Sequence, residues 1–172
     1  RVLFRSVMTS SNGINWTGRS SSNESNNWTS VCWSPGLSLF VAVANSGINR
    51  VMTSSNGINW TGRISSNESN GWTSVCWSPE LSLFVAVGSY YGNSSNKVMY
   101  SINGVNWFSI SSSNNYNGWA SICWSPELSI FVAVANYGTT NNNKVMISNI
   151  GIPSSKNSLL ISFKFVSFPF DA

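Results

Sequence analysis

The amino-acid sequence repeats itself, and the length of the repeat narrows the choice of fold. The ten residues from Val7 to Trp16 return unchanged from Val51 to Trp60, and a related copy runs from Val98 to Trp107. The closing tryptophan recurs at positions 16, 60 and 107, at intervals of 44 and 47 residues. Periods of about 40 to 50 residues are typical of the four-stranded blades of β-propellers.

A second signature predicts where the strands lie. The octapeptide from Trp28 to Pro35 recurs from Trp72 and, with two changes, from Trp119, and each copy precedes a Leu-Ser-Leu/Ile-Phe-Val-Ala-Val segment. Short apolar runs bounded by turn residues indicate β-strands. In the middle copy we expect four strands, termed a to d, at Trp72–Ser78, Leu83–Gly88, Lys97–Ser101 and Trp107–Ser111.

Two turn signals separate these strands. Ser78-Pro79-Glu80 predicts the a–b turn, because proline presets the backbone angle of the second turn position. Asn103-Gly104 predicts the c–d hairpin, because this dipeptide tolerates positive φ angles, and we expect such angles at Gly57 and Gly104.

The predicted fold class is therefore all-β, a β-propeller with four-stranded antiparallel blades, about three to four of them in this chain. The blade repeats span 1–148, and 149–172 form a divergent hydrophobic tail. The ring is either incomplete or completed by oligomerisation or further blades, and a β-trefoil remains the alternative fold. The blade boundaries are 7–20 (half a blade), 28–63, 72–111 and 119–148 (a partial blade).

The hairpin from Ser54 to Trp60 resembles the Asp-box, or bacterial neuraminidase repeat, of sialidase-like propellers. Together with the Trp-Ser-Pro-Glu-Leu and Phe-Val-Ala-Val segments, it is similar to repeat proteins common in large DNA viruses, phages and some microbes. The chain departs from the Asp-box by placing asparagine where the acid belongs and by having one residue fewer before the glycine. The resemblance implies the fold but no catalytic residue, since the Asp-box is structural in those propellers.

Composition argues against catalysis. The chain has no histidine and five acidic residues, of which the only aspartate, Asp171, lies in the tail. Most glycosidases need two neighbouring carboxyl groups, and a serine nucleophile needs a basic partner. We therefore expect no enzyme activity, no catalytic residue, no metal site and no cofactor, with a sialidase-like glycosidase as the least favoured alternative.

Charge and apolar runs argue against two classes of partner. The net charge of +4 comes from nine scattered basic residues without a basic cluster, so we expect no nucleic-acid partner. The longest uninterrupted apolar run, Leu39 to Ala44, is far shorter than the roughly 20 residues of a membrane span, so we expect no membrane partner. Lone cations at the start of strand c, one in each blade, are expected to keep an edge solvated: Arg50, Lys97 and Lys144.

Three cysteines and three tryptophans occupy equivalent positions of strand a. We expect Cys32, Cys76 and Cys123 to be buried free thiols, which favours a reducing compartment, either intracellular or virion-associated. The tryptophans are expected to lie between blades: Trp33, Trp77 and Trp124. The chain does not begin with methionine and starts just before a repeat, so we expect it to be cut from a longer protein or processed.

The predicted loops fall on two rims. The a–b and c–d turns form one, the turn rim; the b–c and d–a loops form the other, the variable rim, whose loops alone vary in length. Tyrosine, serine and asparagine on that rim suit a recognition surface for a glycan or a protein. The alternative is a structural component of a viral or cellular assembly. The candidate binding residues are Tyr90, Tyr91, Tyr116, Tyr137, Arg63, Glu68, Arg19 and Glu24.

Overall fold

The protein is described by a computed structural model that covers residues 7–89, 96–112, 117–138, 144–151 and 160–165. These ranges contain fourteen strands and no helix, and hence no helical span that is long and apolar enough to cross a membrane. The strands are β1 (Val7–Thr9), β2 (Thr17–Arg19), β3 (Trp28–Ser34), β4 (Leu39–Ala44), β5 (Val51–Ser54), β6 (Thr61–Arg63), β7 (Gly71–Ser78), β8 (Leu83–Ser89), β9 (Val98–Ser101), β10 (Phe108–Ile110), β11 (Gly118–Ser125), β12 (Ile130–Tyr137), β13 (Val145–Gly151) and β14 (Leu160–Phe165).

The strands form one two-stranded hairpin and three four-stranded antiparallel sheets. The hairpin is β1–β2, and the sheets follow chain order: sheet 1 is β3 to β6, sheet 2 is β7 to β10, and sheet 3 is β11 to β14. The all-β class is thereby confirmed. Strands a to d of the middle copy are also confirmed, each within one residue or two of its predicted ends, because short apolar runs between strong turn residues leave little freedom of register.

The fourth strand of sheet 3 comes from the divergent tail. Residues 149–151 extend β13, and β14 pairs with it from Met146↔Phe165 to Gly151↔Leu160. The segment that matches no repeat thus still supplies the edge strand of a four-stranded sheet. β13 itself pairs with β12 over three residue pairs, whereas the equivalent strands of sheets 1 and 2 pair over four.

The apolar core lies between the sheets. One cluster joins sheet 1, through Val41 and Val43, to Trp72 and Phe84 of sheet 2. A second cluster joins the far face of sheet 2 to sheet 3. Each fully buried side chain of this size stabilises the fold by roughly 1.5 to 3 kcal/mol. The second cluster consists of Leu83, Val85, Val87, Val98, Trp119, Ile122, Phe131, Ala133 and Met146.

The three equivalent tryptophans differ in burial, which corrects the expectation that all lie between blades. Trp77 is 9% exposed within the first cluster, and Trp124 is half-buried against the second. Trp33 is 39% exposed and stacks on Phe40 of its own sheet, with ring centroids 4.4 Å apart. The difference arises because Trp33 has no four-stranded sheet before it in the part of the chain that the structure describes.

Hydrogen bonds repeat at both contacts between sheets. A β-bulge in strand a turns Thr29 outward, so that its hydroxyl donates to the carbonyl of Trp72 at 2.7 Å. Thr73 makes the same bond to Trp119 at 2.6 Å. Ser30, which follows Thr29, accepts a hydrogen bond from the backbone N–H of Val75 through its hydroxyl oxygen. Successive sheets are therefore joined by the same polar contacts as well as by apolar packing.

The c–d hairpins share one hydrogen-bond network. The side-chain oxygen of Asn56 accepts the backbone N–H groups of Ile58 and Asn59, both at 2.9 Å. The hydroxyl of Ser54 accepts the N–H of Gly57 at 2.9 Å, and the positive φ predicted there is confirmed at 71°. Asn12 and Asn103 accept the equivalent pairs of N–H groups. These bonds satisfy turn amides that have no partner in the strand ladder.

The a–b turn also links neighbouring sheets, in one copy but not in another. Glu80, in the turn of sheet 2, accepts a 2.6 Å hydrogen bond from the indole N–H of Trp124 in sheet 3. At the contact between sheets 1 and 2, Gly36 stands at the position equivalent to Glu80. There the indole N–H of Trp77 is buried without a hydrogen-bond partner. A buried unsatisfied donor costs about 1 to 3 kcal/mol.

We predict that Gly36→Glu raises the free energy of unfolding by about 1 to 2 kcal/mol, because the carboxylate would satisfy the Trp77 indole. A Cβ at Gly36 would lie 4.0 Å from Cζ2 of Trp77, which is ordinary van der Waals contact. Urea titration followed by tryptophan fluorescence measures the change. Glu80→Gly is the reverse control and should lower the free energy of unfolding. If Gly36→Glu were destabilising and Glu80→Gly neutral, the bond between the turn glutamate and the indole would not stabilise the contact between sheets.

Candidate functional site

The two glutamates proposed as binding residues accept backbone N–H groups of loops on the variable rim. The carboxylate of Glu24 accepts the N–H of Ser21 at 2.6 Å. Its equivalent, Glu68, accepts the N–H of Ser65 at 2.7 Å and also the N–H of Arg50 at 3.3 Å. Each carboxylate therefore shapes a d–a loop of the variable rim.

The two candidate arginines bond across their own hairpins. Nε of Arg19 donates to the hydroxyl of Thr9 at 3.0 Å, and Nε of Arg63 donates to Thr53 at 3.1 Å. Arg63 lines an open groove of about 560 Å³ beside Trp107 and Phe108 at the outer strands. Each candidate arginine thus bonds a threonine on the strand that pairs with its own.

Two of the three cations at the start of strand c, Arg50 and Lys97, reach the next sheet, which corrects the expectation of a solvated edge for these two. Nη1 of Arg50 donates to the carbonyl of Asn70 at 2.7 Å, and Nζ of Lys97 donates to the equivalent carbonyl of Asn117 at 3.0 Å. Lys97 is fully buried, and this burial lowers the pKa of its ammonium group. Lys144, the third cation of the series, is exposed, and no sheet follows sheet 3 within the described ranges.

A polar cavity of about 460 Å³ opens on the variable rim. It lies where the ends of strands from all three sheets approach one another, and this size falls within the usual range for small-ligand pockets. Side-chain amides, hydroxyls and one guanidinium face the cavity, and Gly71 and Thr73 lie at the start of β7. The lining residues are Asn45, Arg50, Ser69, Gly71, Thr73, Ser89, Asn136 and Tyr137.

Among the candidate residues that the structure describes, Tyr137 alone lines this cavity. Its hydroxyl is 2.8 Å from the hydroxyl of Ser89 in sheet 2, and its ring packs over Gly118 so closely that a Cβ there would clash. Asn136 is exposed beside it. The other three candidate tyrosines, Tyr90, Tyr91 and Tyr116, lie outside the described residues.

Sequence reasoning missed most of the cavity. Asn45 and Ser69 fall in loops of the variable rim that were recognised, but nothing in their local sequence separates them from neighbouring serines and asparagines. The available signal was positional, since Asn45 directly follows β4 and Ser69 lies two residues before β7. The sequence marks Arg50 only as a member of the repeating cation series.

The cysteines are free, as expected, but one of them is not buried. Cys32 and Cys76 are half-buried between sheets, and burial raises the pKa of both thiols. Cys123 is exposed on the outer face of sheet 3, which corrects the expectation for that residue. Within the described ranges, no three cysteine or acidic side chains come close enough to hold a metal ion.

Comparisons with known proteins place the chain in no family: no family model matches it, and no curated protein matches it either.

Proposed function

We propose that the three sheets are blades of a β-propeller. Neighbouring sheets touch through their first two strands: β3 and β4 lie against β7, and β7 and β8 lie against β11. Contacts of similar extent between outer strands of different sheets are absent from the described ranges. Sheets that converge at their first strands and diverge outward are typical of blades around an axis. The shared hairpin network supports the Asp-box-like assignment, since asparagine oxygens accept the N–H groups that a carboxylate would take.

We further propose that this propeller is a non-catalytic recognition module that binds a glycan in the cavity of the variable rim. The carrying observation is the cavity of about 460 Å³ lined by asparagine, serine and tyrosine side chains of three blades. Amides and hydroxyls both donate and accept hydrogen bonds, as sugar hydroxyl groups do. Tyrosine offers an apolar ring face with a polar tip, a surface that suits a pyranose.

The acidic residues support binding rather than glycoside hydrolysis. Hydrolysis by the usual routes needs two carboxyl groups on either side of the scissile bond. Glu24 and Glu68 already accept backbone N–H groups in separate loops, and Glu80 bonds an indole on the turn rim. None of these three carboxylates lines the cavity.

We predict that the double variant Ser69→Ala with Asn136→Ala weakens glycan binding about fivefold or more, since two lost hydrogen bonds of about 0.5 to 1.5 kcal/mol each amount to roughly 1 to 3 kcal/mol. Both residues are exposed, so the free energy of unfolding should stay within about 0.5 kcal/mol of the parent. A glycan array identifies the ligand, and isothermal titration calorimetry with the best glycan measures the change.

Asn106→Ala on the turn rim is the matched control, because this exposed asparagine lies in a c–d hairpin far from the cavity. It should leave binding unchanged. Equal losses in the control and the double variant would place the ligand elsewhere. A different result is that no glycan on the array binds, while a protein binds specifically and the double variant loses that binding. In that case the ligand is a protein that binds the same rim, not a glycan.

A further inference from the structure

The turn rim carries an aliphatic side chain at the same position of three c–d hairpins. The residue that follows the positive-φ glycine is Ile14, Ile58 or Val105, and the exposed fractions of these residues are 80%, 44% and 39%. The hairpin network uses only the backbone N–H of this residue, which donates to the asparagine side chain. The geometry of the turn therefore does not require an apolar side chain here.

The a–b turns repeat this pattern with leucine. Leu37, Leu81 and Leu128 each donate their backbone N–H to the hydroxyl of the serine three residues before them. Leu81 is half-buried, whereas Leu37 is 41% exposed and Leu128 is 68% exposed. In these turns, too, the hydrogen bond involves the backbone of the leucine and leaves its side chain without a part in the turn.

The c–d hairpin of sheet 2 adds one more aliphatic residue to the turn rim. Ile102 stands where the other two hairpins have Ser11 and Ser55, and it is 60% exposed. An isoleucine that stays in water contributes little to the hydrophobic core, so folding does not account for this change. In the described loops of the variable rim, the exposed aliphatic residues are Ile48 and Ile64.

The turns of neighbouring sheets lie side by side. A Cβ built at Gly104, in the c–d hairpin of sheet 2, would lie 2.8 Å from Cδ2 of Leu39, which follows the a–b turn of sheet 1. Glu80, in the a–b turn of sheet 2, bonds the indole of Trp124 in sheet 3. The aliphatic side chains therefore belong to one surface that crosses three sheets. Apolar side chains gathered on one exposed surface are typical of an interaction site.

The charged side chains of the turn rim are all acidic. Glu80 and Glu127 are exposed in the a–b turns of sheets 2 and 3, and no lysine or arginine lies in the described turns of this rim. The whole chain has a net charge of +4, so the acidic character belongs to this rim and not to the protein in general. Aliphatic side chains beside carboxylates complement a partner that carries aliphatic and cationic side chains.

We propose that the turn rim binds a cationic amphipathic segment of a partner protein, in which aliphatic side chains are flanked by lysine or arginine. Burial of aliphatic side chains supplies the affinity, and the two glutamates orient the segment and disfavour acidic ones. The glycan cavity lies on the opposite rim, so this proposal goes beyond the proposed function and does not depend on it. The aliphatic residues of the binding surface are Leu37, Ile58, Ile102, Val105 and Leu128.

The first measurement is a selection from a display library of short random peptides against the immobilised 172-residue chain. We expect the bound peptides to be enriched in lysine, arginine and aliphatic residues and depleted of aspartate and glutamate. Fluorescence anisotropy then gives the dissociation constant of the most enriched peptide at low and at high salt. High salt should weaken the binding, because salt screens exposed charges.

The double variant Ile102→Ser with Val105→Ser tests the aliphatic surface. It should raise the dissociation constant of this peptide about tenfold or more, because two apolar contacts are lost. Both side chains are exposed, so the circular dichroism and the melting temperature should stay close to those of the parent. Ile48→Ser with Ile64→Ser is the matched control: it removes aliphatic side chains that are 67% and 69% exposed on the variable rim and should leave the binding unchanged.

The double variant Glu80→Gln with Glu127→Gln tests the charges. Glutamine keeps a side-chain oxygen that can accept the indole N–H of Trp124, so the contact between sheets 2 and 3 is retained. We expect this variant to bind the peptide more weakly than the parent does, and with a smaller dependence on salt.

The proposal would be overturned if the selected peptides were acidic or uncharged, or if no selected peptide lost its binding in the Ile102→Ser, Val105→Ser variant. Equal losses in that variant and in its matched control would also overturn it. Self-association of the chain that the same variant abolishes would replace the partner segment by a second copy. All these results would leave the glycan site standing, because its cavity lies on the variable rim.

Discussion

Replacing Trp77 with alanine is expected to lower the free energy of unfolding by about 3 to 5 kcal/mol, the usual cost of removing a large aromatic side chain from a core. Trp77 is 9% exposed, belongs to the cluster between sheets 1 and 2, and stacks on Phe84 with ring centroids 4.5 Å apart. Its loss would therefore leave a cavity that joins the contact surfaces of two sheets. Urea unfolding followed by circular dichroism measures the change.

The repeat supplies the matched control for this prediction. Trp33 has the same neighbours in sequence and packs against the equivalent phenylalanine, Phe40, but it is 39% exposed. Trp33→Ala should cost about 1 kcal/mol, because much of the ring is already in water. Equal losses for the two alanines would show that sheet 1 does not cover Trp77.

Gly104→Ala is expected to lower the free energy of unfolding by about 2 to 5 kcal/mol, because two costs add: about 1 to 2 kcal/mol for the left-handed backbone and about 1 to 3 kcal/mol for overpacking. Gly104 has a φ of 71°. A Cβ built there would lie 2.8 Å from Cδ2 of Leu39 and 3.1 Å from Cγ2 of Val41, both in sheet 1. Thermal unfolding monitored by circular dichroism provides the measurement.

Gly13→Ala separates the two costs. Gly13 has a nearly identical φ of 73°, but a Cβ there would meet nothing within 4 Å, so only the backbone cost of about 1 to 2 kcal/mol applies. Asn106→Ala, beside Gly104, should have little effect. If Gly13→Ala and Gly104→Ala were equally destabilising, the close contact between the hairpin of sheet 2 and sheet 1 would be wrong.

The strand pattern could be predicted because it is encoded locally. Apolar runs such as Leu83 to Val87, ended by Ser-Pro-Glu or Asn-Gly turns, define strands and hairpins without reference to any distant residue. The positive φ of Gly57 and Gly104 followed in the same way from the turn geometry. The fourth strand of sheet 3 could not be predicted, because β14 shares no motif with the other copies and depends on the free edge of β13.

The part of the candidate residues in binding stays a prediction. Tyr137 lines the polar cavity of the variable rim, whereas Glu24 and Glu68 accept backbone N–H groups of loops, and Arg19 and Arg63 bond threonines of the adjacent strand. A charged side chain in a variable loop looks the same in sequence whether it meets a ligand or a backbone amide. Only the positions of the neighbouring N–H groups distinguish the two cases.

The sequence by itself determined the repeat, the strand boundaries and the hairpin turns, because side-chain alternation and backbone preference act within a few residues. The tertiary structure decided which of several identical residues are buried: Trp77 but not Trp33, and Lys97 but not Lys144. It also decided where the cavity opens, since that depends on three sheets meeting at one end. A side chain is buried only where another sheet packs against it. Because the local sequence is the same in every copy, it does not indicate which copies have such a neighbouring sheet.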